Sequence, residues 1–166
     1  MSSRAFRFAF KIDLLLALLL LTGCGGIPQG IQQARAASMQ SIQAEPPGDY
    51  FIGRRYFKRG EFKFWGYVRQ PGQPWSTAQL VMLNEKQRLA PDREQLRFGF
   101  DNNYEYKLWG FFSGDKVYDA GSDGIYPEFV LKKYELISDH PAPIFRSQYD
   151  GRVEAGSGRF HIEKPE

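Results

Sequence analysis

Beyond residue 48, apolar and polar positions alternate along much of the chain with a period near two, the signature of strands with one face turned to a core. From Glu61 to Arg69, Phe62, Phe64, Gly66 and Val68 fall on one side and Lys63, Trp65, Tyr67 and Arg69 on the other. Gln70-Pro71-Gly72-Gln73-Pro74 supplies turn chemistry. Ala78 to Leu83 is a short apolar run, as in a strand buried on both faces. Leu96 to Phe100 predicts a short strand ending in the turn Asp101-Asn102-Asn103. Tyr104 to Phe112 predicts a longer one, with Tyr104, Tyr106, Leu108 and Phe112 on one face. Ser113-Gly114-Asp115 turns the chain, Lys116 to Tyr118 continues as a short strand, and Asp119 to Gly124 is a second loop. Glu128 to Ile137 is the last strand. Asn84 to Glu94 is the one helix candidate in this stretch, and Pro91 limits it.

The sum is an all-β domain over 49–138 with five or six antiparallel strands. A small sheet avoids exposed edges by closing on itself. The strand spacing over 61–137, with one longer connection in the middle, resembles the OB-fold barrel. An SH3-like barrel or a small sandwich fits the same pattern.

The flanks read differently. Residues 24–48 contain Gly25-Gly26, Pro28, Gly30, a Gln/Ala/Ser-rich stretch and Pro46-Pro47-Gly48. This composition predicts a flexible tether with a reach of about 25–30 Å. Ile31, Ala34, Ser38 and Ile42 have loose helical spacing, so a short helix can form within it. Residues 139–166, opened by His140-Pro141-Ala142-Pro143, predict a polar and largely disordered tail onto which Ile144-Phe145 could dock.

At the start of the chain, Arg4, Arg7 and Lys11 precede an unbroken run of Leu and Ala from Leu14 to Leu21, followed by Thr22-Gly23-Cys24. The run is about half of the ~20 residues that a helix needs to cross a bilayer. It reads as a signal peptide over 1–23. Leu21-Thr22-Gly23-Cys24 resembles the lipobox of bacterial lipoproteins. The resemblance implies a diacylglycerol on the Cys24 thiol, cleavage before Cys24 and acylation of the new amine. Several acyl chains would hold the protein stably to a membrane. Gly25, where an aspartate would be the family's usual inner-membrane retention signal, implies the outer membrane, facing the periplasm.

Cleavage changes the charge. The chain has 22 Lys and Arg against 19 Asp and Glu. Losing Arg4, Arg7, Lys11 and Asp13 leaves 19 against 18, a net of +1. No global attraction to nucleic acid follows, and nucleic acid is not expected as a partner. Cys24 is the single cysteine, so no internal disulfide can form. Aromatics are dense: 14 Phe, 9 Tyr and 3 Trp, of which only Phe6, Phe8 and Phe10 leave with the signal.

Candidate chemistry is sparse. His140 and His161, the two histidines, fall in the predicted tail. With one cysteine and no histidine in the domain, no zinc site is expected, and no cofactor. Asp115, Asp119 and Asp123 form an acidic loop that supports an alternative reading, an envelope enzyme using carboxylates of the 113–124 loop. Glu128 and Glu135, seven apart, fall on opposite faces of one strand. The more distinctive feature is a basic aromatic segment. From Tyr50 to Arg69, Arg54, Arg55, Lys58, Arg59, Lys63 and Arg69 stand against Glu61 alone. An exposed face with Arg55, Lys63, Trp65, Tyr67 and Arg69 would bind an anionic polymer or glycan, and an envelope protein is a second candidate partner. The expectation is a membrane-tethered, non-enzymatic binding or scaffold module.

Overall fold

The computed structural model describes residues 28–56, 65–150 and 162–166. The chain forms two compact units, Met1–Gln33 and Ala34–Glu166. Of the first, residues 28–33 are described. They open a helix, α1 (Gln29–Gln43), with the Ile31 amide donating to the Pro28 carbonyl at 2.9 Å. The rest of α1 belongs to the second unit. No helix among the described residues is long and apolar enough to cross a membrane.

The second unit is a closed five-stranded barrel. Its strands are β1 (Phe51–Arg55), β2 (Trp65–Arg69), β3 (Gln79–Asn84), β4 (Glu105–Asp119) and β5 (Gly124–Ser138). They are ordered β1-β2-β3-β5-β4, with β4 returning to pair β1. Four of the pairings are antiparallel. The fifth, β3 with β5, is parallel, with Met82 opposite Glu128. This is an OB-fold-like barrel. A single-turn helix, α2 (Pro91–Glu94), lies between β3 and β4, with proline in its first turn where no amide hydrogen bond is lost.

Inside the barrel, Val68, Val81, Leu83, Leu108, Phe129 and Leu131 pack together. The Phe51, Phe112 and Phe129 rings meet edge to face at 5.2–5.7 Å. Gly110 lets β4 cross here, since a Cβ would collide with the Val130 carbonyl oxygen.

Several elements differ from the sequence pattern. Residues 96–100 form turns, not a strand: Leu96 and Gly99 take φ of 53° and 71°, which extended backbone does not allow. Ser113-Gly114-Asp115 does not end its strand. It is a bulge within β4, where Gly114 takes φ of 90° and the register shifts between Phe112 and Lys116. β1 carries no clear alternation in the sequence, because Gly53, Arg54 and Arg55 hide it. The first part of the 61–69 strand lies outside the described residues.

The flanks are more ordered than their composition predicts. Ile42 of α1 is buried, and so are Ile144 and Phe145. With Ile52, Tyr67 and Trp75 they form a second apolar cluster, and Ile162 packs against it. This cluster lies on the outside of β1 and β2. Residues 139–150 include a short helix, α3 (Arg146–Asp150), and the Ser147 amide donates to Glu163 at 2.9 Å. Neither the tether over 34–48 nor the described part of the tail is loose chain. A few large apolar groups suffice when a hydrophobic sheet face stands ready to receive them.

Candidate functional site

The alternation along β2 sets side-chain direction as the sequence predicts. Val68 points into the barrel, while Tyr67 and Arg69 point out of it. Outward is not solvent here. Tyr67 and Arg69 are 2% and 3% exposed, because α1, Trp75 and the segment after Ser138 cover them. The exposed binding face predicted from Arg55, Tyr67 and Arg69 is therefore corrected: all three are interior. Trp65 is placed on β2 opposite Met82 by its backbone. Its side chain, Lys63, His161, Cys24 and the whole lipobox lie outside the described residues.

Each buried arginine has carboxylate partners, as a charge removed from water requires. Arg69 makes a bidentate pair with Glu45 at 2.7 and 2.5 Å, and Glu45 also accepts the Gly72 amide at 2.8 Å. Arg54 donates to Glu105 at 2.5 Å, to Asn103 at 3.2 Å and to the Ala142 carbonyl at 3.0 Å. The two guanidiniums lie 4.4 and 5.0 Å from the Trp75 ring centre. Burial pulls the Arg54 guanidinium below its usual range, and Glu105 opposes that pull. A cleft of about 280 Å³ adjoins these pairs, lined by Arg54, Arg69, Glu45, Glu105, Trp75 and His140 among others. Its two cations and two carboxylates are already matched to each other.

Arg55 points the other way, into the base of the barrel. It donates to Asp92 of α2 at 2.8 Å and to Asp101 at 3.1 Å. Asp92 also accepts the Gly99 amide at 3.1 Å. The group ties the β3–β4 connection to β1. Burial pushes the Asp101 carboxyl above the usual carboxylate range, against the lowering effect of Arg55. Both aspartates are sealed in, at 2% and 0% exposure, so no substrate reaches them.

Two of the three aspartates of the acidic loop, Asp119 and Asp123, are engaged within their own turn. Asp119 accepts the Ser122 amide at 2.9 Å and the Ser122 hydroxyl at 2.6 Å. Asp123 accepts the Tyr118 hydroxyl at 2.9 Å. Asp and Ser closing a turn onto local donors is the ordinary use of these residues. Glu128 accepts the Asn84 amide group at 2.9 Å. The His140 ring is exposed and lies 2.9 Å from Asp139. Among the described residues, no three His, Cys, Asp or Glu side chains are grouped to hold a metal.

Basic and aromatic groups do share an exposed surface, but on β4 and β5. Lys107, Trp109 and Phe111 point outward from β4, alternating with the inward Tyr106, Leu108 and Phe112. Lys133 stands directly opposite Trp109. The Lys133 ammonium lies 4.5 Å from the Trp109 ring centre, and that of Lys107 lies 4.3 Å from Tyr50 and 5.7 Å from Trp109. Lys132 lies 4.8 Å from Phe111. Lys132 and Lys133 are adjacent, yet both are exposed, because a register shift at Trp109/Gly110 inserts one extra residue in β5. The β4 half of this strip is legible as the polar side of the strand from Tyr104 to Phe112. Lys132 beside Lys133 depends on the bulge, for which the sequence holds no signal.

No family model, curated protein or solved structure matches this chain. The fold and the geometry of its surfaces are the ground for a functional reading.

Proposed function

We propose that the chain is a cell-envelope lipoprotein, lipidated on Cys24 and held outside the cytoplasm, whose barrel is a non-enzymatic binding or scaffold module. The observation that carries this reading is the open strip of rings and ammonium groups on β4 and β5, a contact surface on a barrel whose other described charge clusters are tied into ion pairs and turns. The N-terminal segment with its lipobox-like end supplies the anchor. The lipobox resemblance and Gly25 favour the outer membrane, with the barrel facing the periplasm.

Fractionation with fatty-acid labelling tests the anchor. The wild type should take label and sediment with membranes, and Cys24→Ala should lose the label and remain unprocessed. A Cys24→Ala product that matures and labels like the wild type ends the lipoprotein reading.

A further inference from the structure

We propose that the β4–β5 strip of Tyr50, Lys107, Trp109, Phe111, Lys132 and Lys133 binds an anionic polysaccharide carrying carboxylated sugars. The inference rests on the reading of the barrel as an envelope binding module and names that module's ligand class.

Charge complementarity is the first ground. Three ammonium groups line the strip, and Glu135 faces Lys107 across the strands. No carboxylate among the described residues pairs with any of the three lysines, whereas Arg54, Arg55 and Arg69 are each held by one or two. Lys132 and Lys133 are exposed and Lys107 is half-buried, so their charges can reach a partner.

Shape is the second. Successive outward residues on a strand are about 6.8 Å apart, so Lys107, Trp109 and Phe111 span about 14 Å. Rings and cations alternate across this length. A linear polymer fits such a row: its flat, apolar sugar faces lie on the rings and its carboxylates meet the ammonium groups. A sheet gives the row rigidity, so little ordering is lost on binding.

The type of cation separates ligand classes. Arginine's planar fork suits bidentate phosphate, and lysine is a point charge. Every cation in the strip is lysine, a point charge that needs no planar bidentate acceptor, so single carboxylates spaced along a polymer can meet it, and titration with oligothymidylate separates them from a phosphodiester. Phe111 in the strip is 42% exposed, and Leu136 and Ile137 flank it on β5 at 50% and 47%, so the test includes phosphatidylglycerol vesicles as the competing surface.

Full-length protein in detergent, titrated with polygalacturonate, tests the proposal. Binding should weaken with salt, since exposed charges are screened over about 8–10 Å, and neutral dextran should not bind. Lys107→Ser with Lys133→Ser should weaken binding about tenfold or more. Lys86→Ser with Lys164→Ser, the same loss of charge elsewhere, should leave it unchanged. Trp109→Ala should cost about tenfold as well, by analogy with aromatic stacking of other polymers, and Glu135→Gln should tighten binding. Should Trp109→Ala fail to fold, the lysine pair and Glu135→Gln still decide. Three results overturn the proposal: no binding of polygalacturonate by the wild type, equal weakening by both lysine pairs, or tighter binding of oligothymidylate or of phosphatidylglycerol vesicles. Binding in detergent requires neither the lipid nor the compartment. A failed Cys24 experiment therefore leaves this result standing, and a failed titration leaves the anchor standing.

Discussion

The outer faces of β1–β2 and of β4–β5 are built from the same ingredients and end in opposite states. On the first, Arg54, Arg69, Tyr67 and Trp75 are at most 3% exposed. On the second, Lys107, Lys132 and Lys133 lie over Tyr50, Trp109 and Phe111, with Phe111, Lys132 and Lys133 exposed and the others half-buried. The first face is covered by α1 and by the segment after Ser138, and every arginine under that cover has a carboxylate. The second has no such layer among the described residues, and its cations rest on rings instead of acids. Arginine's several donors can satisfy several acceptors at once when water is removed, whereas a lysine ammonium is compact and strongly hydrated and stays at the surface. A basic aromatic segment is therefore a binding face only when nothing in the same chain is shaped to cover it. In this barrel the outer face of β1 and β2 is occupied by the protein itself.

The largest effect should come from breaking the buried charge system. Arg55→Ala leaves Asp92 and Asp101 without their cation and should cost about 3–5 kcal/mol in chemical denaturation. A midpoint that does not move would mean that Arg55 is solvated. Next is the cover itself. Ile42→Ala removes the buried anchor of α1 and should cost about 2–4 kcal/mol. A loss near zero would return residues 34–48 to a loose tether. Tyr67→Phe is gentler. It removes the hydroxyl that donates to the Glu163 carbonyl at 2.5 Å and should cost about 0.5–1.5 kcal/mol. Hydrogen exchange should then quicken across 162–166 before it does so in the strands. The smallest effect belongs to the other face. Lys133→Ser should change stability by no more than about 0.5 kcal/mol, although the ligand titration of the lysine pair responds. A large loss there would mean that the strip is structural.

Parts of the fold can be read directly. The turn at Gln70–Pro74 and the inward set of β4 follow from turn chemistry and the period of two; β3 follows from its apolar run, but only Val81 and Leu83 are buried, not both of its faces. The strand expected over 96–100 fails because Leu96 adopts a left-handed conformation that residue type does not announce. β1 is missed because an arginine that points into a barrel, as Arg55 does, looks like a surface residue until Asp92 and Asp101 arrive from 37 and 46 positions away.

By itself, the sequence determined the local and periodic properties: an all-β class, the number of strands to within one and the inward faces of β2 and β4. These depend on neighbours within a few residues. Tertiary structure decided which outward faces meet water. Glu45 reaching Arg69, Glu105 reaching Arg54 and Phe145 covering Tyr67 join parts of the chain 24, 51 and 78 residues apart. The physical reason is that alternation reports the direction of a side chain relative to its own sheet, whereas burial depends on what else packs there. Here Ile42, the Glu45 carboxylate just beyond the helix, Glu105 of β4 and the apolar groups of a polar-looking tail close one face and leave the other open.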